Sequence, residues 1–343
     1  MFFVETANHE LLTPNPYKML PSAYHVKLNK TLKQRDFLPK GSRILVALSG
    51  GQDSLSLARL CLDLQYRWQW EIAIVHYDHG WQFDRGLAEH IQKVCQQWQV
   101  KLYLEKAIEE IPETEASARK YRYQALIKVA TENNFTYLLT AHTLSDRSET
   151  FLYNLMRGGG IEGLTALDWT RQLTPKITLV RPLLNFLRQE TLECCQELEL
   201  PIWEDKYNQD KKFARNRIRL DLIPYLEEHF NSQTQKHLAQ TAEILRADLN
   251  YLEAQTDKLF AQVVSVSKSS VNRFLLKHEP LNLQRRVIKK YLEANLQKMP
   301  SFERIEEIVN LIHSPNGSCS SSLGNNKFIR VKGDFMTIVS STR

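Results

Sequence analysis

Ser49-Gly50-Gly51-Gln52-Asp53-Ser54 is the densest cluster of chemistry-bearing residues in the chain, and a Leu-rich helical stretch follows it directly. Paired glycines let a backbone approach a ligand closely, and helix-start amides favour an anion, so Ser49, Gly50, Gly51, Gln52 and Ser54 are expected to hold a diphosphate. Asp53 would then face polyphosphate as a bare carboxylate unless a divalent cation, Mg²⁺, lay between them. The same residues also suit a tight turn and a helix cap. The loop lacks the lysine and spacing of a Walker motif, and no G-x-G-x-x-G dinucleotide fingerprint occurs here.

Further candidates follow in chain order. His76-Tyr-Asp-His79-Gly80 has no third metal ligand nearby, so it reads as a nucleotide-pocket wall. In Glu115-Ala-Ser-Ala-Arg119-Lys-Tyr-Arg122 the arginines fall three apart, on one helix face, where they could grip phosphate. Thr140-Ala-His142-Thr-Leu-Ser-Asp146-Arg-Ser-Glu149 starts another helix, and the spacing of Asp146 and Glu149 points both carboxylates to one side, although Asp146 also suits a cap. Arg157 leads a run of three glycines, which implies a loop. Arg215, Arg217 and Arg219 alternate in a basic stretch, and spacing alone leaves open whether they meet RNA backbone or nucleotide.

These residues need a scaffold. Arg43–Leu48, Glu71–His76, Lys101–Leu104, Tyr137–Thr140 and Thr178–Arg181 read as buried strands, with helices at roughly 54–67, 84–98, 115–133 and 146–157. The alternation predicts an α/β fold, a parallel sheet with helices on both faces, with ligands beyond the carboxyl ends of the strands. Domain boundaries are expected as an N-terminal extension 1–40, a catalytic domain 41–225, a linking helix within 226–264 and a small α+β domain 265–343. Two domains are natural for 343 residues, because one hydrophobic core does not grow that large. A net charge of +6 permits a phosphate-rich partner without requiring it. Five cysteines without metal or disulfide spacing, no secretory signal and no apolar run of membrane length together predict a cytoplasmic chain.

The Ser-Gly-Gly-x-Asp-Ser loop resembles that of the PP-loop N-type ATP pyrophosphatases. The segments 76–80, 115–123, 140–150 and 155–164 are similar to those of the lysidine synthetase branch, as are Arg181-Pro-Leu-Leu184, Asp205 through Asn208, and Arg215-Asn-Arg-Ile-Arg219. Thr143, Ser145 and Arg147 depart from that branch's T-A-H-H-x-D-D-Q-x-E-T pattern. The resemblance implies that ATP adenylates the wobble cytidine of tRNA(Ile) with a CAU anticodon, and that free L-lysine then displaces AMP. It assigns His79 and His142 to the ATP site, Asp53, Arg122, Asp146 and Glu149 to catalysis, and Arg119, Arg157, Asn208, Arg215, Arg217 and Arg219 to tRNA or substrate. Asp146 is expected to accept the lysine proton. The 265–343 domain is expected to bind tRNA, and a homodimer is left open. A tRNA thiolase of the same superfamily normally uses spaced cysteines, which adjacent Cys194-Cys195 cannot imitate. A noncatalytic RNA-binding relative is the other alternative, raised by the substitutions at 143, 145 and 147.

Overall fold

The computed structural model describes residues 22–81, 85–107, 115–165, 167–203, 210–296, 300–324 and 327–340. Two compact units emerge, Met1–Ala242 and Glu243–Arg343. The first begins with α1 (Ala23–Arg35), β1 (Arg43–Ala47), α2 (Gln52–Trp68), β2 (Glu71–Asp78), α3 (Leu87–Gln97), β3 (Lys101–Lys106), α4 (Glu115–Glu132) and β4 (Tyr137–Leu139). It continues through α5 (Leu144–Met156), α6 (Ile161–Leu164), β5 (Thr170–Thr174), β6 (Ile177–Val180), α7 (Arg188–Glu197), α8 (Ala214–Arg217), a π-helical turn (Ile218–Leu222) and α9 (Ile223–His229). The long α10 (Thr234–Val263) follows.

The sheet of the first unit has the order β3-β2-β1-β4-β6-β5. Successive residues of β1 explain why its run is apolar throughout. Ile44 and Val46 join a core with Leu28, Leu55 and Ile91, whereas Leu45 joins the opposite core with Val75, Val129 and Leu138. Side chains alternate across a strand, so a sheet covered on both faces leaves β1 no position for a polar residue. Because β1 lies between β2 and β4, the chain leaves β1 to one side and later returns to the other. The loops after β1 and β4 therefore meet at a topological switch point, where open sheets bind ligands.

Two features differ from the expectation. The strand β5 pairs antiparallel with β6, so the sheet is mixed at this edge. Its Thr-Arg-Gln-Leu-Thr sequence carries little apolar signal because the strand covers one margin rather than the centre. The segment expected as an extension is also partly structural: Leu28 and Leu32 of α1, followed by Leu38, are buried in the core with α2. The first unit thus starts well before residue 41.

In the second unit, β7 (Ser270–Asn272), α11 (Arg273–Leu276), α12 (Leu281–Asn295), α13 (Phe302–Leu311), β8 (Lys327–Lys332) and β9 (Phe335–Ser340) form an antiparallel sheet β7-β9-β8 with its helices. Its core gathers Val287, Ile288, Tyr291 and Leu292 from α12 with Ile308 from α13 and Ile329, Val331 and Met336 from the strands. The i, i+4 pairs on α12 supply one apolar stripe. Tyr291 is buried, and its hydroxyl donates to the Ser269 carbonyl at 2.9 Å.

Candidate active site

The chain leaves β1 in a bend that only glycine suits. Gly50 has φ +81°, and a Cβ there would lie 2.6 Å from Leu87 Cδ1 and 3.2 Å from Trp203 Cβ. Gly51 then caps α2 with extended backbone. The two loop serines differ in exposure and use. Ser54 is buried, its Oγ accepting from Ser49 N at 3.1 Å and donating to the Gly51 carbonyl at 2.9 Å, so it shapes the turn. Ser49 is exposed at the rim, within 3.1 Å of Ser54 Oγ. The Gln52 amide turns away from the loop, donating to the Arg188 carbonyl at 2.7 Å and to Thr191 Oγ1 at 3.2 Å. What Gln52 offers a ligand is therefore its backbone at the helix start.

Asp53 lies in the first turn of α2 against the start of α7. Thr191 Oγ1 donates to its Oδ1, and Arg188 Nη1 stands 3.5 Å from its Oδ2. Burial pushes its carboxyl up to about 6, with Asp146 pushing the same way while Arg188 and Thr191 pull back. Arg188 is itself fixed from behind, where its backbone N–H donates to Ser145 Oγ at 3.1 Å. Glu190 completes the cap by accepting from Leu187 N at 2.7 Å.

Across the switch point, Thr143 and Asp146 form a reciprocal cap at the start of α5. The Asp146 Oδ2 accepts from Thr143 N at 2.7 Å and from Thr143 Oγ1 at 2.9 Å, and Thr143 Oγ1 accepts from Asp146 N at 3.3 Å. The capping role weighed for Asp146 is real, and it leaves Oδ1 facing Arg219 Nη2 at 3.4 Å. Burial works against the charge, but the Thr143 donors and Arg219 hold Asp146 below the usual carboxylate range. One turn on, Glu149 receives a two-pronged contact from Arg219, Nε to Oε1 at 2.6 Å and Nη2 to Oε2 at 2.8 Å. Burial nevertheless raises the Glu149 pKa, ahead of the lowering by Arg219.

Two neutral histidines complete this face. Burial lowers His142 to about 3, with Arg181, Arg119 and Arg122 adding to the effect, and its Nδ1 lies 3.0 Å from Thr140 Oγ1. His79 falls to about 4 through burial and the charge of Arg122. Its ring stacks on Trp81 at 4.8 Å and meets Tyr77 edge-on at 4.8 Å, and its buried Nδ1 has no hydrogen-bond partner among the described residues. From α4, Arg122 thus acts on both histidines and Arg119 on His142.

The other predicted residues separate. Arg219 points at the carboxylates, but Arg217, two positions earlier and on the opposite face, donates to the carbonyls of Lys211 and Lys212 at 3.0 and 3.2 Å. Arg157 donates to Tyr153 Oη, and Arg215 lies 5.8 Å from the Tyr153 ring. Asn208 and Asp205 fall outside the described residues. Arg181 is buried and donates to the Asp168 carbonyl at 2.5 Å, a role inside the fold. Ser145, singled out only as a departure from the family pattern, accepts from Arg188 N, while Arg188 and Thr191 were missed from sequence. Their one local signal is the cap around Leu187 and Glu190, which marks a helix start and says nothing of Asp53.

The PP-loop domain family matches residues 21–226. The tRNA(Ile)-lysidine synthase of Synechocystis sp. is 45% identical over 92% of this chain and 97% of its own length. That of Nostoc sp. is 44% identical over 95% and 99%. A solved U34-tRNA thiolase, NcsA from Methanococcus maripaludis with its [4Fe-4S] cluster, superposes with TM-score 0.56 over 65% of this chain and 78% of its own at 19% identity, a likeness of fold.

Proposed function

The chain belongs to the tRNA(Ile)-lysidine synthase family, and from that premise we propose that it ligates L-lysine to the wobble cytidine of the CAU anticodon of tRNA(Ile), in the cytoplasm, releasing AMP and diphosphate. In the first step the cytidine carbonyl oxygen attacks the α-phosphorus of ATP, and the α–β bond breaks as diphosphate leaves. In the second step the lysine ε-amine attacks the activated ring carbon, the carbon–oxygen bond breaks, and AMP departs.

The observation that carries this reading is the meeting of the glycine bend, Asp53, and the Asp146–Arg219–Glu149 group at one switch point. Asp53 and Asp146 repel each other beside a phosphate-binding turn, a setting that suits Mg²⁺, which takes one or two carboxylates with substrate phosphates. When bound, Mg²⁺ would be held by Asp53 and would neutralise charge on the departing diphosphate. Arg188 and Arg122 add cationic charge around the same phosphates. Neutral His79 and His142 line the nucleotide without repelling the arginines. Asp146, held ionised, draws in the lysine ammonium and passes its proton on to solvent, because a depressed pKa makes it a weak resting place for that proton. Arg219 keeps Glu149 and Asp146 in register.

Incubating the full chain with a CAU-anticodon tRNA(Ile) transcript, ATP, Mg²⁺ and radiolabelled lysine tests the reading. Label in the tRNA with one AMP per lysine is expected. ATP splitting without label in tRNA would reject lysine as the co-substrate.

A further inference from the structure

Two turns along α5 from the carboxylates, on the same helix face, lies a cleft of about 630 Å³, a volume typical of ligand pockets. Tyr153 and Met156 of α5 and Arg157 just after it line one wall, and Arg217, Ile218 and Tyr225 the other. We infer that this cleft holds an unstacked nucleobase of the RNA substrate, a neighbour of the cytidine that reacts; the inference rests on the function proposed above.

Four observations converge. Tyr225 is 54% and Met156 60% exposed, large apolar surfaces left open beside a cleft. The Tyr153 ring has guanidinium groups near it, Arg157 at 5.0 Å and Arg215 at 5.8 Å, and aromatic rings and arginine planes are the surfaces on which single-stranded bases stack. The rim is cationic, since the lining's one acid, Asp221, is paired with Lys211 at 2.6 Å. That favours RNA over an acidic or neutral peptide. Finally, the cleft and the reaction site share two elements. Helix α5 carries Asp146 and Glu149 at its start and Tyr153 seven residues beyond Asp146, about 10 Å along the axis. The π-helical turn sends Arg219 to Glu149 while adjacent Ile218 lines the cleft. A base flanking the cytidine can therefore dock while the cytidine reacts.

Double-mutant cycles on the full chain test the inference. The protein side uses Tyr153→Ala and Tyr225→Ala; the RNA side uses CAU-anticodon tRNA(Ile) transcripts in which each anticodon-loop nucleotide except the wobble cytidine is made abasic in turn. Each alanine variant should weaken tRNA binding about tenfold. At one loop position the abasic transcript should lose as much and then become insensitive to the alanine change, while Tyr153→Phe keeps wild-type affinity. Should Tyr153→Ala fail to fold, the exposed Tyr225 carries the same test. Losses that multiply at every position, or alanine variants that bind intact tRNA as wild type does, would overturn the cleft and favour a protein segment as its occupant. Wild-type protein that modifies no tRNA would instead overturn the functional reading, and the occupant with it.

Discussion

Among the described residues, the unit Met1–Ala242 buries Arg147, Glu149 and Arg181, whereas Glu243–Arg343 buries no acidic or basic side chain and, of polar residues, only Thr256, Gln284 and Ser320. The second unit does form ion pairs, but at its surface, such as Lys290–Asp257 at 2.5 Å with side chains 44% and 64% exposed. Buried charge is costly to a fold, and a well-packed apolar pair of the same volume is often as stable. The contrast teaches that the first unit uses buried charge in two ways, Glu149 held by Arg219 at the candidate site and Arg181 bonded to a backbone carbonyl inside the fold. The second unit meets solvent with its charges and reserves its core for apolar contacts.

The sharpest way to break this comparison is Asp53→Asn. It should slow AMP formation by about 10³-fold while the protein melts at the same or a higher temperature, because the carboxylate opposes folding. The pH dependence follows from the sign of its shift. With a folded value of about 6 against an ordinary value of 3.8, the folded state binds the extra proton. Stability from this group is thus full below the ordinary carboxylate range and is lost as pH rises through 6, by about 3 kcal/mol at neutrality. Denaturant titrations of wild type and Asp53→Asn at pH 4 and pH 7 should diverge by about that amount, and parallel behaviour would remove Asp53 from a desolvated site. Next in size, Arg219→Met leaves the buried Glu149 carboxylate without its guanidinium, and should destabilise the protein by about 3 kcal/mol in urea. A neutral result there would mean that the first unit treats its charges as the second does. Smallest is Asp257→Asn in the second unit, expected to change stability by less than about 0.5 kcal/mol. A loss of several times that would erase the contrast from the other side.

Much of the first unit was legible because its inner strands β1, β4 and β6 are buried on both faces, so they appear as apolar runs. The glycine turn after β1 was legible for a different reason: the positive φ at residue 50 and the closeness of Leu87 leave glycine as the residue that fits. Helix α1 was harder to read, since His25 and Thr31 occupy buried positions beside Leu28 and Leu32 and blur the apolar stripe. His25 is accommodated there by Asp63, whose Oδ2 lies 3.0 Å from its Nε2, a partner distant in sequence. Arg188 was invisible for a related reason. Its contact with Asp53 spans two helices brought together by packing between α2 and α7, and no local spacing encodes it. The division among Arg215, Arg217 and Arg219 likewise needed the π-helical turn, which alternation in the sequence does not announce.

The antiparallel edge strand β5 has a consequence beyond the fold. A sheet margin presents unpaired amides and carbonyls that another chain could extend, a route to aggregation. Here the margin carries exposed Arg171 and Gln172, and its register with β6 slips between Gln172 and Thr174. Irregular pairing and a positive charge make it a poor template for a foreign strand. At the opposite margin, β3 begins with exposed Lys101 and ends at exposed Lys106, so both flanks of the sheet repel their own kind.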